Sequence, residues 1–500
     1  MAAVFGVHVG NTTACLACFK DEKLDVVANE AGYRVTPAVV AFHENERVTG
    51  LEAKAGAARN LSSTITHNKF YLHIDPSSEE FDSVCERSKG KVSARNGLVK
   101  YTIQEGDREI SITPDEVATC IYKSMQRIAD TAERSVEAHK AVLTVPLKLS
   151  TPLLERTKKA AEAAGIEVLQ MISEPCAAAL AYQVGMQDQS QNCLCLVFRV
   201  GGVSSDATIV KAVGGAYSIE NYVHCQDLGG DKLNRLLAEF VADEFQRKFK
   251  LDPRESKRSM AKLLSAAENW KHILSNLNSA DCFVESLHEG IDYRVNISRA
   301  RFEMLASSDL QEFLQPIHSV FKSSGISSKD ITHVILCGGT LKIPKLQKMV
   351  SDVFGEATIL SGLAPDEVLA IGATRQASYL PPTWDRDFDE QSITVQASSK
   401  AIYFKPSDGK WQCLIPALSP IPFMKKSKLQ VPDGSTELVV EIAEEGAENG
   451  QLSKLGSVSL NEMKSGASVL MEFKWTNTGL QVSLSDGREK RGVAEFPISD

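Results

Sequence analysis

Two glycine turns repeat one layout at distant points of the chain, Val7-His8-Val9-Gly10-Asn11-Thr12 and Phe198-Arg199-Val200-Gly201-Gly202-Val203-Ser204. Apolar runs over 4–9 and 14–19 flank the first turn and read as a tight β-hairpin, and 193–213 repeats that reading. Turns of this kind present backbone N–H donors, and two that face each other can clamp a polyphosphate. Where a hydrolytic site of this design usually carries carboxylates, these turns carry His8 and Arg199. The expected chemistry is therefore a grip on phosphate without its cleavage.

A third glycine pair, Gly338-Gly339, ends the apolar run 334–337 and precedes Thr340-Leu341-Lys342-Ile343-Pro344, a strand, turn and helix start. Amides at such a helix start favour an anion or an approaching ring edge. Any one of these turns is explained as readily by structure alone. Three at strand ends, two of them related, point to a nucleotide. Glu268, Lys271, His272 and Ser275 share one face of an expected helix, which suits either a ribose site or a solvated polar face. Leu228-Gly229-Gly230-Asp231 adds another glycine turn, also readable as a plain helix entry.

The elements that must position these residues alternate between strand and helix over 1–380, the rhythm of an α/β architecture. One unit runs from the strand 141–145 through a helix over 152–164, ended by Gly165 in the C′ position, and on through the strand 166–172 to a helix opened by Glu174-Pro175. From 227 to 320 the pattern turns helical, strongest over 233–249 and 254–277, and reads as a helical insert forming a cleft wall. Pro381-Pro382 and the polar stretch after them mark a linker over 381–391. From 392 to 500 short runs alternate with period two between Gly, Asn and Asp turns, Asn477-Thr478-Gly479 and Asp486-Gly487 among them. That predicts an all-β sandwich.

At 500 residues, with 43% hydrophobic and 24% charged side chains, the chain has material for two to four cores. A net charge of −9 argues against direct binding to nucleic acid or a membrane surface. No basic, apolar leader opens the sequence and no run approaches the roughly 18 apolar residues of a membrane span, so the expected address is cytosolic. Eleven cysteines include Cys15-x-x-Cys18 and Cys193-x-Cys195, but both pairs lie in strand-like runs with no second ligand pair, which favours buried reduced thiols.

The chain resembles the seventy-kilodalton heat-shock proteins. The matching stretches are Gly6-Val7-His8-Val9-Gly10-Asn11-Thr12-Thr13, Asn29-Glu30-Ala31-Gly32-Tyr33-Arg34-Val35-Thr36-Pro37, Ile172-Ser173-Glu174-Pro175-Cys176-Ala177-Ala178-Ala179-Leu180-Ala181-Tyr182, Cys337-Gly338-Gly339-Thr340-Leu341-Lys342-Ile343-Pro344-Lys345 and Pro365-Asp366-Glu367. The resemblance implies an actin-like, duplicated ribonuclease-H-like ATPase domain followed by a β-sandwich for peptides. It also implies ATP as cofactor. Gly10, Asn11 and Thr12 would form the first phosphate hairpin and Gly201, Gly202 and Ser204 the second, while Gly229 and Gly230 approach the phosphates and ribose. Glu268, Lys271 and Ser275 would meet the ribose and adenine; Gly338, Gly339, Lys342 and Asp366 would frame the base; Lys69 would be the phosphate-side lysine, with Glu174 and Asp206 the remaining acids.

The departures set the expected mechanism. Active members place aspartates where this chain has His8 and Arg199, and a threonine where it has Asn11. Those aspartates hold hydrated magnesium and the attacking water. Without them the chain is expected to bind ATP with weak or absent hydrolysis and a doubtful need for magnesium, Arg199 partly replacing the cation. The alternative is that Arg199 points away from a vestigial pocket. The stretch Pro381-Pro382-Thr383-Trp384-Asp385-Arg386-Asp387-Phe388 lacks the acidic, leucine-rich run that couples the two domains in typical members, and the sequence ends at Asp500 without the usual helical lid. Short, lidless members resemble the chain best. Those pair with a zuotin-type J-domain protein in a ribosome-associated complex and assist nascent chains indirectly, which is the role and partner expected here. Competing readings are an active ATPase chaperone, supported by Lys69, Glu174 and Asp206, and a small-molecule kinase on an actin-like scaffold, for which only Asp206 offers a candidate base.

Overall fold

The structure, a computed structural model, describes the chain except 1–2, 44–45, 75–80, 82–91, 96–97, 106–107, 134–137, 187–192, 214–215, 381–395, 398–400, 408, 416–419, 422, 446–451, 477–478, 487–490 and 497–500. The expected linker over 381–391, and parts of the turns at Asn477-Thr478 and Gly487, lie outside the described residues.

Two mixed sheets are laid out in the same order. In the first, Ile166–Ser173, His139–Val145, Val4–Val9, Thr13–Lys20 and Lys23–Val26 lie side by side, with Thr36–Pro37 paired to the fourth of these. In the second, the order is Thr358–Leu360, His333–Cys337, Cys193–Val200, Ser205–Val213 and Ala216–Cys225. Each sheet thus opens its sequence with a three-strand meander and adds two later strands on the far side of the first strand. The later strands run parallel to their neighbours, as in Phe5↔Ala141 and His333↔Thr358, while Val4–Val9 and Thr13–Lys20 pair antiparallel from Val4↔Phe19 to Val9↔Ala14. Central strands covered on both faces read as continuous apolar runs rather than alternating ones, and Phe5, Val7, Leu196, Val197 and Phe198 are accordingly all buried.

Helices close over these sheets. Pro114–Ala132 starts with a full capping box, Thr113 accepting from the Glu116 amide while Glu116 reaches back to the Thr113 amide, and with proline in its first turn. Thr151–Glu162 ends before Gly165, whose φ of 89° fits the left-handed stop expected there. Glu174–Ala181 and Val368–Tyr379 meet backbone to backbone: a Cβ on Gly372 would fall 1.7 Å from the Ala177 carbonyl oxygen, so only glycine permits the contact.

The region expected to be helical over 227–320 does contain the long helices Gly230–Phe249 and Lys257–Asn276, but it also holds an antiparallel hairpin, Ser279–His288 with Ile291–Ser298. The correction has a simple cause. Ala280, Cys282 and Val284 are buried and the residues between them exposed, a period-two pattern, and Glu289 and Gly290 both take positive φ at the turn.

By compactness the chain divides into a unit of Met1–Ala181, Leu196–Thr208 and Asn221–Ala377 and a unit of Tyr182–Cys195, Ile209–Glu220 and Ser378–Asp500. In the second, two four-stranded sheets share one apolar cluster. Gln412–Ile415, Ile402–Pro406, Leu438–Glu445 and Leu452–Leu460 form one sheet; Phe423–Gln430, Ser468–Thr476, Gly479–Ser485 and Arg491–Phe496 form the other. Ile402, Val440 and Ile442 from the first meet Met471, Phe473 and Val482 from the second, all fully buried. At one flank the sheets touch directly: a Cβ on Gly492 would lie 2.1 Å from the Ser459 carbonyl oxygen. Among the described residues no helix is long and apolar enough to cross a membrane, and none of the ten described cysteines is in a disulfide.

Candidate functional site

The two glycine turns have the same internal closure. The Gly10 amide donates to the Thr13 carbonyl at 2.8 Å, and the Gly201 amide donates to the Ser204 carbonyl at 2.9 Å. The amides at the tips, those of Asn11 and Thr12 in one turn and Gly202 and Val203 in the other, have no acceptor among the described residues. The tips face each other closely enough that a Cβ on Gly202 would lie 2.2 Å from Thr12 Cγ2. Unpaired amides on two opposed turns are the donor set a polyphosphate requires.

The start of the helix Gly230–Phe249 is tied to the second turn. The Gly230 and Asp231 amides donate to the Gly201 and Gly202 carbonyls at 2.9 and 2.8 Å, so these two donors are spent on structure. Thr340 Oγ1 donates to the Gly201 carbonyl at 2.9 Å, and Gly338, with φ of 93°, donates its amide to the Pro365 carbonyl at 2.7 Å. The third glycine pair therefore joins the second hairpin from the other side.

On the floor lie the residues that depart from a hydrolytic pattern. Arg199, largely buried, forms an ion pair with Asp206 through one terminal nitrogen and lies 3.1 Å from Glu174 Oε2 through Nε, off the line of a hydrogen bond. Lys69 pairs with the other Glu174 oxygen. Burial alone would push the Glu174 carboxyl up, but Lys69, Arg199 and His8 hold it far below the usual carboxylate range. Burial likewise opposes the charge on Arg199, and Asp206 and Glu174 raise its affinity for the proton beyond even the free side chain's. His8 behaves differently. Desolvation, then Lys69, pushes its imidazole down to about 3, so it is neutral near pH 7, and its Nδ1 is 2.7 Å from Thr144 Oγ1. Two buried acids thus meet two fixed cations.

Lys69 is held by its helix. Asn68, buried at the start of Asn68–His73, donates to the Pro114 carbonyl at 2.9 Å and accepts from the Tyr101 hydroxyl at 2.8 Å. Asn11 Oδ1 accepts from the Phe70 amide at 2.7 Å. The Asn11 side chain, expected in the first phosphate hairpin, is therefore turned to this helix, and its backbone amide is the group left open.

At the other end of the cleft, buried Lys271 donates to the Gly230 carbonyl at 3.1 Å, and desolvation, opposed by Glu268, lowers it to about 8. Glu268 pairs with Lys54 at 2.7 Å. Ser275 donates to the Lys271 carbonyl one turn back, which spends its hydroxyl proton within the helix. Lys342 pairs with Asp366 at 2.6 Å, and Asp366 Oδ1 is buried with no donor among the described residues. Gly339 lies beside this pair, a Cβ on it falling 4.0 Å from Asp366 Cβ. The structure thus gathers Gly10, Asn11, Thr12, Gly201, Gly202, Ser204, Gly229 and Gly230 at the paired turns. Lys69 and Arg199 lie below; Lys271 joins through Gly230 and Gly338 through the second hairpin.

Three participants escaped the sequence reading. Thr144 orients His8, a partnership between neighbouring parallel strands that spacing does not reveal. His67 pairs with Asp231 at 2.9 Å. His224 lies 3.7 Å from Asp206, and that contact lifts its imidazole despite burial. Among the described residues no group of three or more His, Cys, Asp or Glu side chains is arranged to hold a metal ion.

Two mixed sheets of like order with two opposed glycine hairpins match an actin-like nucleotide-binding domain, and comparison with known proteins supplies the family. The family described as Hsp70 protein matches residues 4–466. The chain belongs to the seventy-kilodalton heat-shock protein family, whose members are ATP-binding chaperones. Its relatives include Heat shock 70 kDa protein 14 of Xenopus tropicalis, 38% identical over 475 residues and covering 94% of this chain and 92% of the relative. The Homo sapiens protein of that name is 37% identical over 469 residues, covering 93% and 92%, and the Danio rerio protein is 37% identical over 449 residues, covering 88% of each.

Proposed function

We propose that this chain is a chaperone subunit that holds ATP without turning it over and acts in the cytosol through a zuotin-type J-domain protein at the ribosome, assisting nascent chains indirectly. The observation that carries the first half is the seat of Arg199 between Glu174 and Asp206. Both carboxylates already have a cation, so a hydrated magnesium ion would have to displace a guanidinium to reach them, and His8 offers a neutral ring directed at Thr144. These residues do not fit a metal held in the manner of active members. They do fit a nucleotide: the four tip amides and the orphaned Asp366 oxygen are donors and an acceptor awaiting partners. Bound ATP would supply the negative charge these amides lack. Lys69 would stay beside the phosphates, and the base would meet Lys342, Asp366, Gly338 and Gly339.

The partner and the ribosome follow from the likeness to short family members rather than from any surface on this chain. The two four-stranded sheets of the second unit, which share one apolar cluster, support reading it as the β-sandwich expected of such members.

Calorimetric titration with ATP, run with magnesium and with chelator, is expected to give binding in both, and a single-turnover assay is expected to show little ADP. Loss of a positioned base or water-orienting group alone removes roughly 10² to 10⁴ in rate. Binding that vanishes in chelator, or turnover at the pace of ordinary family members, would reverse the reading. Affinity purification from cytosol tests the partner: recovery without a J-domain protein and without ribosomal subunits removes the second half.

A further inference from the structure

We infer that His224 is a positioning residue for Arg199: the two share one oxygen of Asp206, and a proton on the His224 ring frees the guanidinium to meet phosphate, so that nucleotide affinity follows pH. The inference deepens the ATP-holding reading and rests on it for its binding test.

Three neighbouring strands bring the groups together. His224 stands near the end of Ala216–Cys225, Asp206 at the start of Ser205–Val213 and Arg199 near the end of Cys193–Val200. His224 Nδ1 is 3.7 Å from Asp206 Oδ2, the oxygen that also takes Nη2 of Arg199. Its other nitrogen, Nε2, is 3.0 Å from Gln226 Oε1. A neutral imidazole carries a single N–H and can serve one of these oxygens; only the protonated ring serves both. The Tyr222 ring lies nearly parallel to it, centroids 6.3 Å apart, and Lys148 Nζ sits 5.7 Å from the centre of that ring on the surface. Burial pushes the Tyr222 phenol and the Cys225 thiol up, so both stay uncharged near pH 7. The charges that face His224 are thus Asp206 and Arg199 from the two neighbouring strands, with Lys148 beyond Tyr222. Burial lowers the hold of the ring on its proton and Arg199 opposes it as well, yet Asp206 and Gln226 outweigh both and lift it above 6.5.

The consequence is a competition for Asp206 Oδ2. A neutral ring that donates to Gln226 turns a lone pair on Nδ1 toward the carboxylate and leaves that oxygen to Arg199. A protonated ring donates to the same oxygen and divides its charge. Arg199 is placed to use the release. Its Nη1 lies against Gly201, where a Cβ would fall 3.2 Å away, and its Nη2 is 3.4 Å from Ser204 Oγ, so both nitrogens border the second glycine turn. Held less by Asp206, the guanidinium turns toward a phosphate on that turn.

The His224 side chain is 36% exposed, which sets a modest size for the effect. In calorimetric titrations of full-length protein with ATP in chelator, wild type should bind about two- to fivefold tighter than His224→Asn at about pH 6 and equally at about pH 8.5. His224→Lys, a fixed cation, should keep the tighter binding at both. Parallel pH profiles in wild type and His224→Asn would overturn the inference.

Histidine ring resonances of nucleotide-free protein separate this outcome from failure of the ATP reading. The signal lost in His224→Asn should titrate above 6.5 in wild type, and higher still in Arg199→Gln, where no guanidinium competes for the carboxylate. Where that variant unfolds, urea midpoints of wild type and His224→Asn serve instead. Stability from His224 is full below 6.5 and lost as pH rises through its folded value, so wild type should lead at about pH 6 and the two should meet at about pH 8.5. If wild type binds no nucleotide while these shifts are seen, the shared carboxylate stands and the ATP reading falls. A signal titrating at or below 6.5, or a stability difference that ignores pH, removes the inference.

Discussion

At the scale of single residues, charge compensation at the cleft floor decides what can be measured. Removing Arg199 leaves Glu174 and Asp206 buried without the cation they share, while Lys69 still pairs with Glu174. Arg199→Ala should therefore destabilise the fold by about 3–5 kcal/mol in urea titrations followed through buried Trp270. His8 and His73 are both pushed by desolvation from 6.5 to about 3, His73 with its Nε2 3.0 Å from Thr157 Oγ1. Each stays neutral in the fold while the unfolded chain takes up a proton below 6.5, so stability falls as pH drops through that window. Between pH 6 and 5 the wild type should lose about 1 kcal/mol more than His8→Asn. An equal loss in both would show that His8 is protonated in the native protein. The sequence announced His8 and Arg199 as departures, but not where their side chains point. Whether Arg199 entered the cleft or left it depended on Glu174, 25 positions earlier in the chain, and Thr144 lies on a different strand again.

At the scale of elements, the hairpins, the parallel strands and the long helices were legible because local pattern and burial agree there. Gly165 marked a helix end by its type alone, and the repeat of 4–19 in 193–213 foretold the two like hairpins at the start of each sheet. The hairpin Ser279–His288 with Ile291–Ser298 was missed because its buried positions hold Ala280 and Cys282 beside charged Asp281 and Glu285, a weak apolar alternation beside two strong helical periods. The meeting of Glu174–Ala181 and Val368–Tyr379 was equally hidden, since nothing near Gly372 in sequence shows Ala177 against it. A side chain there cannot be accommodated without parting the helices. Gly372→Ala should cost about 1–3 kcal/mol by thermal unfolding, the scale of overpacking, and a neutral result would mean the helices sit farther apart.

At the scale of the whole molecule, the second unit has a core of its own. Every residue of its apolar cluster lies between Ile402 and Phe496, and Trp475 is buried in it, as Trp270 is in the first unit. Calorimetry of the full chain should resolve two transitions, and in thermal fluorescence Trp475→Phe should diminish the change of one and Trp270→Phe that of the other. A single transition with both tryptophans reporting together would contradict separate cores.

The touching sheets of that unit bear on how the protein behaves in a crowded solution. Where Gly492 abuts Ser459, the strands Leu452–Leu460 and Arg491–Phe496 shield each other's flank, leaving little backbone there for a foreign strand to template upon. The opposite margin, Phe423–Gln430, carries exposed Lys426 and Lys428, whose like charges repel a second copy approaching in register. Addition of a foreign strand is thus opposed sterically at one border and electrostatically at another.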